Sequence, residues 1–108
     1  MAISTKTVQE PYLDGSELNT TFEWANDDFD TYVVAAATVS GTAGSGTIPR
    51  WTIEDSHDHI SWFGATTLDN AKQSAEITIT APWSRVRTTT KNSTAFRAAI
   101  TVVLHKDN

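Results

Sequence analysis

The feature that most constrains this chain is the phase of its apolar residues. They recur at every second position in short runs separated by turn signals, and almost nowhere at helical spacing. Phe96, Ala98, Ile100, Val102 and Leu104 form the longest clean alternation, which puts all of them on one face of an extended segment. That run is predicted to be a central core strand. The same phase marks Tyr32 to Ser40, Ile48 to Asp55 with Trp51 and Ile53 inward, and Ile60 to Thr66 with Ile60 and Trp62 inward. Ala75 to Thr80 and Trp83 to Thr90 follow the pattern as well. Asp55-Ser56-His57-Asp58-His59 is a polar tip that makes a hairpin of its two flanking runs. Pro82 has no N–H to donate, so it ends the ladder that Ile79 belongs to.

The run from Gly41 to Gly46 is glycine-rich and reads as a flexible connection. Leu68 to Lys72 gives the only helical hint, too short to persist alone, and is expected as a loop or one turn. Roughly six or seven short strands without strand–helix–strand alternation predict an all-β chain, a single antiparallel β-sandwich or jelly-roll domain. The sandwich is expected over residues 26–108, with residues 1–25 as an extended N-terminal arm or edge strand. Threonine is used heavily on the polar faces, giving a weakly charged, hydrogen-bonding surface that suits packing against another protein.

Composition narrows the function classes. At 108 residues, with 39% apolar residues and four tryptophans, the chain has material for one core without a metal or disulfide staple. It has no cysteine, so there is no disulfide framework, no thiolate metal site and no thiol nucleophile, and folding in a reducing cytosol is expected. The opening Met-Ala-Ile-Ser-Thr-Lys lacks the apolar core of a secretion signal. No later stretch approaches the roughly 20 apolar residues of a membrane span. A soluble, unprocessed chain with no membrane partner is expected. A net charge of −5 argues against a nucleic-acid partner held through phosphate neutralisation. Arg85, Arg87, Lys91 and Arg97 fall in the last quarter, behind Asp27, Asp28, Asp30, Glu54, Asp55 and Asp58. This segregation suits contacts between copies, with chance as the plain alternative.

Several groupings resemble chemical sites. His57 and His59 with Asp58 offer metal ligands at one hairpin tip, but a closed zinc site needs four ligands with supporting partners, and a solvated turn explains them as well. Ser56, His57 and Asp58 are adjacent, whereas a triad needs side chains converging from different segments. No catalytic, cofactor or metal residues are therefore assigned, and no enzymatic activity is expected. Trp24 and Trp83 have weaker patterns than Trp51 and Trp62, and are the candidates for an exposed sugar-binding platform. Arg85 and Arg87 share a strand face about 6.5 to 7 Å apart. They are placed to grip carboxylates on a neighbouring subunit or to form an ordinary solvated face. Ile3, Val8, Tyr12 and Leu13 punctuate the polar N-terminal stretch, as an arm anchoring in a neighbour's groove or edge would require. A first strand paired within its own chain is the alternative.

The order of pieces also carries a resemblance. Asp28-Phe29-Asp30-Thr31-Tyr32-Val33-Val34, then a Gly/Thr/Ser loop, Trp51-Thr52-Ile53-Glu54-Asp55-Ser56 and His57-Asp58-His59-Ile60-Ser61-Trp62 come in turn, followed by Ala81-Pro82-Trp83-Ser84-Arg85-Val86-Arg87 and Ser93-Thr94-Ala95-Phe96. Over about Asp28 to Leu104 this resembles the small β-sandwich structural proteins of tailed-bacteriophage heads, some of which decorate or cement the capsid. The two histidines replace the usual glycine-centred turn. The resemblance implies a virion protein made in the host cytoplasm and placed on the capsid surface. Its partner would be the major capsid protein, and it would act as a homo-oligomer, most simply a trimer, with no cofactor. A carbohydrate- or receptor-binding domain of a fibre or tail, and a head-completion or tail component, are the alternatives.

Overall fold

A computed structural model of the chain describes residues 3–41, 49–69, 72–92 and 94–107. Most of the glycine-rich connection, residues 42–48, lies outside them. The strands are β1 (Ile3–Asp14), β2 (Thr21–Ala25), β3 (Thr31–Ser40), β4 (Arg50–Ser56), β5 (Phe63–Leu68), β6 (Ser74–Thr78), β7 (Trp83–Thr90) and β8 (Arg97–Asp107). They form two four-stranded sheets, β1-β8-β3-β6 and β2-β7-β4-β5, with every pairing antiparallel. The chain is an antiparallel β-sandwich.

The alternation in the sequence decides what lies between the sheets. Phe96, Ala98, Ile100, Val102 and Leu104 are all buried, and β8 sits between β1 and β3 as a central strand. Tyr32, Val34 and Ala36 from β3 meet Trp51 and Ile53 from β4 and Val86 from β7 in the same core. Each large apolar side chain buried there stabilises by about 1.5–3 kcal/mol. Trp51 packs against Phe96 with ring centroids 6.0 Å apart, and Trp24 meets Tyr32 edge-on at 5.4 Å.

Toward the hairpin end the core turns polar. The Tyr32 hydroxyl donates to Asp55 Oδ1 at 3.0 Å, and Ser84 Oγ donates to the same oxygen at 2.5 Å. Asn26 Nδ2 donates to Ser84 Oγ at 2.8 Å, while Asn26 Oδ1 accepts from Trp24 Nε1 at 2.9 Å. The group joins β3 of one sheet to β2, β4 and β7 of the other. Burial first, and then the Asp55 carboxylate, push the Tyr32 phenol above its ordinary pKa, with Ser84 opposing.

Three expectations are corrected. The stretch 1–25 does not stand apart as an arm: β1 pairs with β8 and β2 with β7, and Leu13 and Trp24 are buried in the shared core. What fits is the edge-strand alternative, one edge in each sheet, with Pro11 accommodated where the β1 register shifts. Ile60 is not inward but 83% exposed. The hairpin loop runs on to Trp62, and a further shift opposite Ile53 and Glu54 breaks the phase that the sequence suggested. Leu68, expected inside the loop or turn to Lys72, instead closes β5, fully buried across from Trp51, so that the loop begins only at Asp69; residues 70 and 71 lie outside the described residues. Gly41 ends β3 at φ 95°, where a Cβ would stand 2.4 Å from the Ala95 carbonyl oxygen. Only glycine fits there.

Candidate functional site

On the outer face of the second sheet, alternation turns Glu23, Glu54, Arg85 and Arg87 away from the core, and the strand register sets Glu23 and Glu54 on either side of Arg85. Glu54 Oε1 accepts from Arg85 Nε at 2.9 Å and Arg87 Nε at 2.8 Å, and Oε2 accepts from Arg87 Nη2 at 3.1 Å. Arg87 Nη1 reaches Asn19 Oδ1 at 2.8 Å. Burial pushes the Glu54 carboxyl up, but the hydrogen bonds and charges of Arg87 and Arg85 outweigh it and leave the group below its ordinary range.

The loop from His57 to Trp62 folds back onto this face. Its frame is local: Asp58 Oδ1 accepts from the N–H groups of Ile60 at 2.8 Å and Ser61 at 2.7 Å, and Ser56 Oγ accepts from His59 N at 2.8 Å. Those bonds are the ordinary device by which Asp and Ser fix a turn. They hold the Asp58 carboxyl below its usual range. His59, at φ 64°, stacks on Trp83 with centroids 5.0 Å apart and planes 6° apart. It also meets Trp62 edge-on at 5.8 Å and lies 3.1 Å from Glu23 Oε1 through Nε2. The Arg85 guanidinium lies 4.2 Å above the Trp62 ring. His57 stacks on Phe63 at 5.5 Å. The outcome is a braced loop that leaves Ile60 83% and Phe63 43% exposed.

The residues expected at an interface are not brought together. Arg85 and Arg87 face outward as expected, but spend donors on Glu54 of their own chain. The N-terminal residues belong to the other sheet: Leu13 is buried, Val8 packs half-buried on the core, and Tyr12 is 65% exposed. The Ile3 side chain lies outside the described residues. Leu13 and Val8 thus contribute to the core of their own chain.

Trp24 and Trp51 are buried. Trp62 and Trp83 are half-buried, each with a ring face already covered by Arg85 or His59. Ser56 Oγ donates to Asp58 Oδ1 at 3.1 Å within the turn, while the His57 ring stacks on Phe63 instead of lying between them. A recess lined by Ala36, Thr38, Trp51, Asp69 and Gln73 has about 10 Å³, on the scale of one water and far below the roughly 300–1,000 Å³ of a ligand pocket. Sequence reasoning had Arg85, Arg87 and the histidine tip, but missed Glu54, Glu23 and Trp83 as their partners.

No family model matches the sequence, and no curated protein is similar to it in sequence. Solved structures share its fold. The Yersinia pseudotuberculosis-derived mitogen is 9% identical over 99% of this chain and 89% of its own, with a TM-score of 0.58. A chain from Bacillus endospore appendages, which form a family of disulfide-linked pili, is 15% identical over 96% and 87%, at 0.56. The third carbohydrate-binding module of family 32 from a Clostridium perfringens family 31 glycoside hydrolase is 18% identical over 94% and 75%, at 0.51. At these identities the likeness shows the sandwich fold alone.

Proposed function

We propose that this chain is a structural protein of a tailed-phage virion, a capsid decoration or cement protein that binds the head lattice and stabilises it without catalysis. The observation that supports binding is the loop His57–Trp62: a turn fixed by Ser56 and Asp58 and stacked on Trp83 presents Ile60 to solvent. A rigid element that keeps a large aliphatic side chain exposed is suited to fill a pocket on a protein partner, at little cost in ordering. The major capsid protein as that partner rests on the resemblance over Asp28 to Leu104. So do the location on the capsid surface and action as a homo-oligomer, a trimer in the simplest form. Weak contacts repeated over a lattice add up through effective concentration. Mixed with heads of the encoding phage that lack it, the purified chain should cosediment and raise their bursting temperature. Heads that bind none of it would refute the reading.

A further inference from the structure

The outer face of the first sheet contrasts with the charged face just described. At its centre, three rows cross β8 and β3: Val103 beside Val33, Thr101 beside Ala35, and Ala99 beside Ala37. All six remain accessible to solvent, and none carries a charge. The outward ionisable groups described on this sheet flank those rows: His105 at one end, the Arg97–Asp14 ion pair at the other, and Glu76 on the β6 edge directly beside Val33.

We infer that this face is a contact between two copies of the chain related by a two-fold axis. In a molecule of net charge −5, an uncharged patch is where a surface meets its own copy without bringing like charges together. The rows are also complementary to themselves. A two-fold axis lying in the contact plane and crossing the strands at Thr101 and Ala35 reverses their order. It sets Val103 on the second copy's Ala99, and Val33 on the second copy's Ala37. Large then meets small in both rows, as an isologous contact requires, and the sheets approach to about 10 Å.

The uncharged rows form only the centre of the contact. The whole sheet face with its charged margins, four strands at about 4.8 Å by about seven residues at about 3.4 Å, gives roughly 450 Å² per copy, or about 900 Å² in all, the size of a weak, concentration-dependent contact. The inference goes beyond the lattice reading and does not depend on it. It also gives pairs, where the phage resemblance implies trimers.

The on-axis residue supplies the test, because Thr101 faces its own counterpart and points away from the core. Sedimentation equilibrium from micromolar to millimolar chain should show monomer and dimer. Thr101→Lys and Thr101→Glu, each confirmed folded by circular dichroism, should weaken association about tenfold or more, since each places two like charges together. An equimolar mixture of the two variants should recover it, because opposite charges then meet on the axis. The proposal is overturned by a monomer throughout, by a trimer, by variants that associate like the parent, or by a mixture no better than either variant alone. A monomeric parent whose Thr101→Lys variant loses capsid binding would assign the face to the lattice, and would also overturn it.

Discussion

Glu54 and Asp55 are neighbours on β4, both nearly buried, and they meet opposite worlds. Asp55 points between the sheets, where its partners are the neutral hydroxyls of Tyr32 and Ser84. Glu54 points outward, where two guanidinium groups cover it. Strand alternation alone separates them, and it teaches how one segment serves two purposes. The inner carboxylate ties one sheet to the other, while the outer one organises a surface that carries the exposed loop. Losing the inner group strands buried donors; losing the outer one frees arginines that water can reach.

The comparison can be broken by mutation. Asp55→Ala should have the largest effect, about 2 to 4 kcal/mol, because the Tyr32 and Ser84 hydroxyls would remain buried with a missing acceptor. Glu54→Ala should cost less, about 1 to 2 kcal/mol in denaturant titration, since Arg85 and Arg87 keep access to solvent and can rehydrate. Equal losses for the two variants would break the distinction between inner and outer face.

Acid sharpens it. A folded-state pKa held below the ordinary value means that Glu54 adds stability above about pH 4.5, and that this contribution is lost as pH falls through the lower folded value. Asp14 and Asp58 are shifted the same way. Glu54→Gln should therefore flatten part of the acid limb of stability against pH, and an unchanged limb would refute the ion-pair account.

The smallest effect belongs to Tyr32→Phe, about 1 kcal/mol at neutral pH, since Asp55 keeps Ser84. Its signature lies in alkali. The raised phenol pKa gives stability that is fully present below about pH 10, the value of an unfolded tyrosine, and is lost as pH rises from there toward the folded value. The Phe variant should lack that component of the loss, and an alkaline limb identical to the parent's would count against the Tyr32–Asp55 contact.

Much of the inner side was legible in the sequence, because strands state their buried face locally. The alternation from Phe96 to Leu104, and Trp51 with Ile53, reads directly as core. Short or interrupted segments read poorly. Phe22 and Trp24 alternate within only five residues of β2, flanked by polar stretches, too short a run to declare a strand by itself. Ile60 and Trp62 continue the hairpin's phase on paper, but a loop pinned by Asp58 and Ser56 resets it. The outer surface was legible only in part: Arg85 and Arg87 show their shared face by spacing, whereas Glu54 lies 31 residues before Arg85 and His59 lies 36 residues after Glu23. Such pairings come from sheet order, which no local pattern encodes.

The central claim is that the molecule binds a protein partner through the exposed tip that this outer framework holds in place. Ile60→Asp tests it most directly, read as the fraction of chain that cosediments with phage heads alongside its melting temperature. Ile60 contributes almost nothing to the core, so the melting temperature should stay within about two degrees of the parent. Binding should weaken about tenfold or more if Ile60 fills a pocket at the contact. A variant that melts like the parent and still binds as tightly would contradict the account.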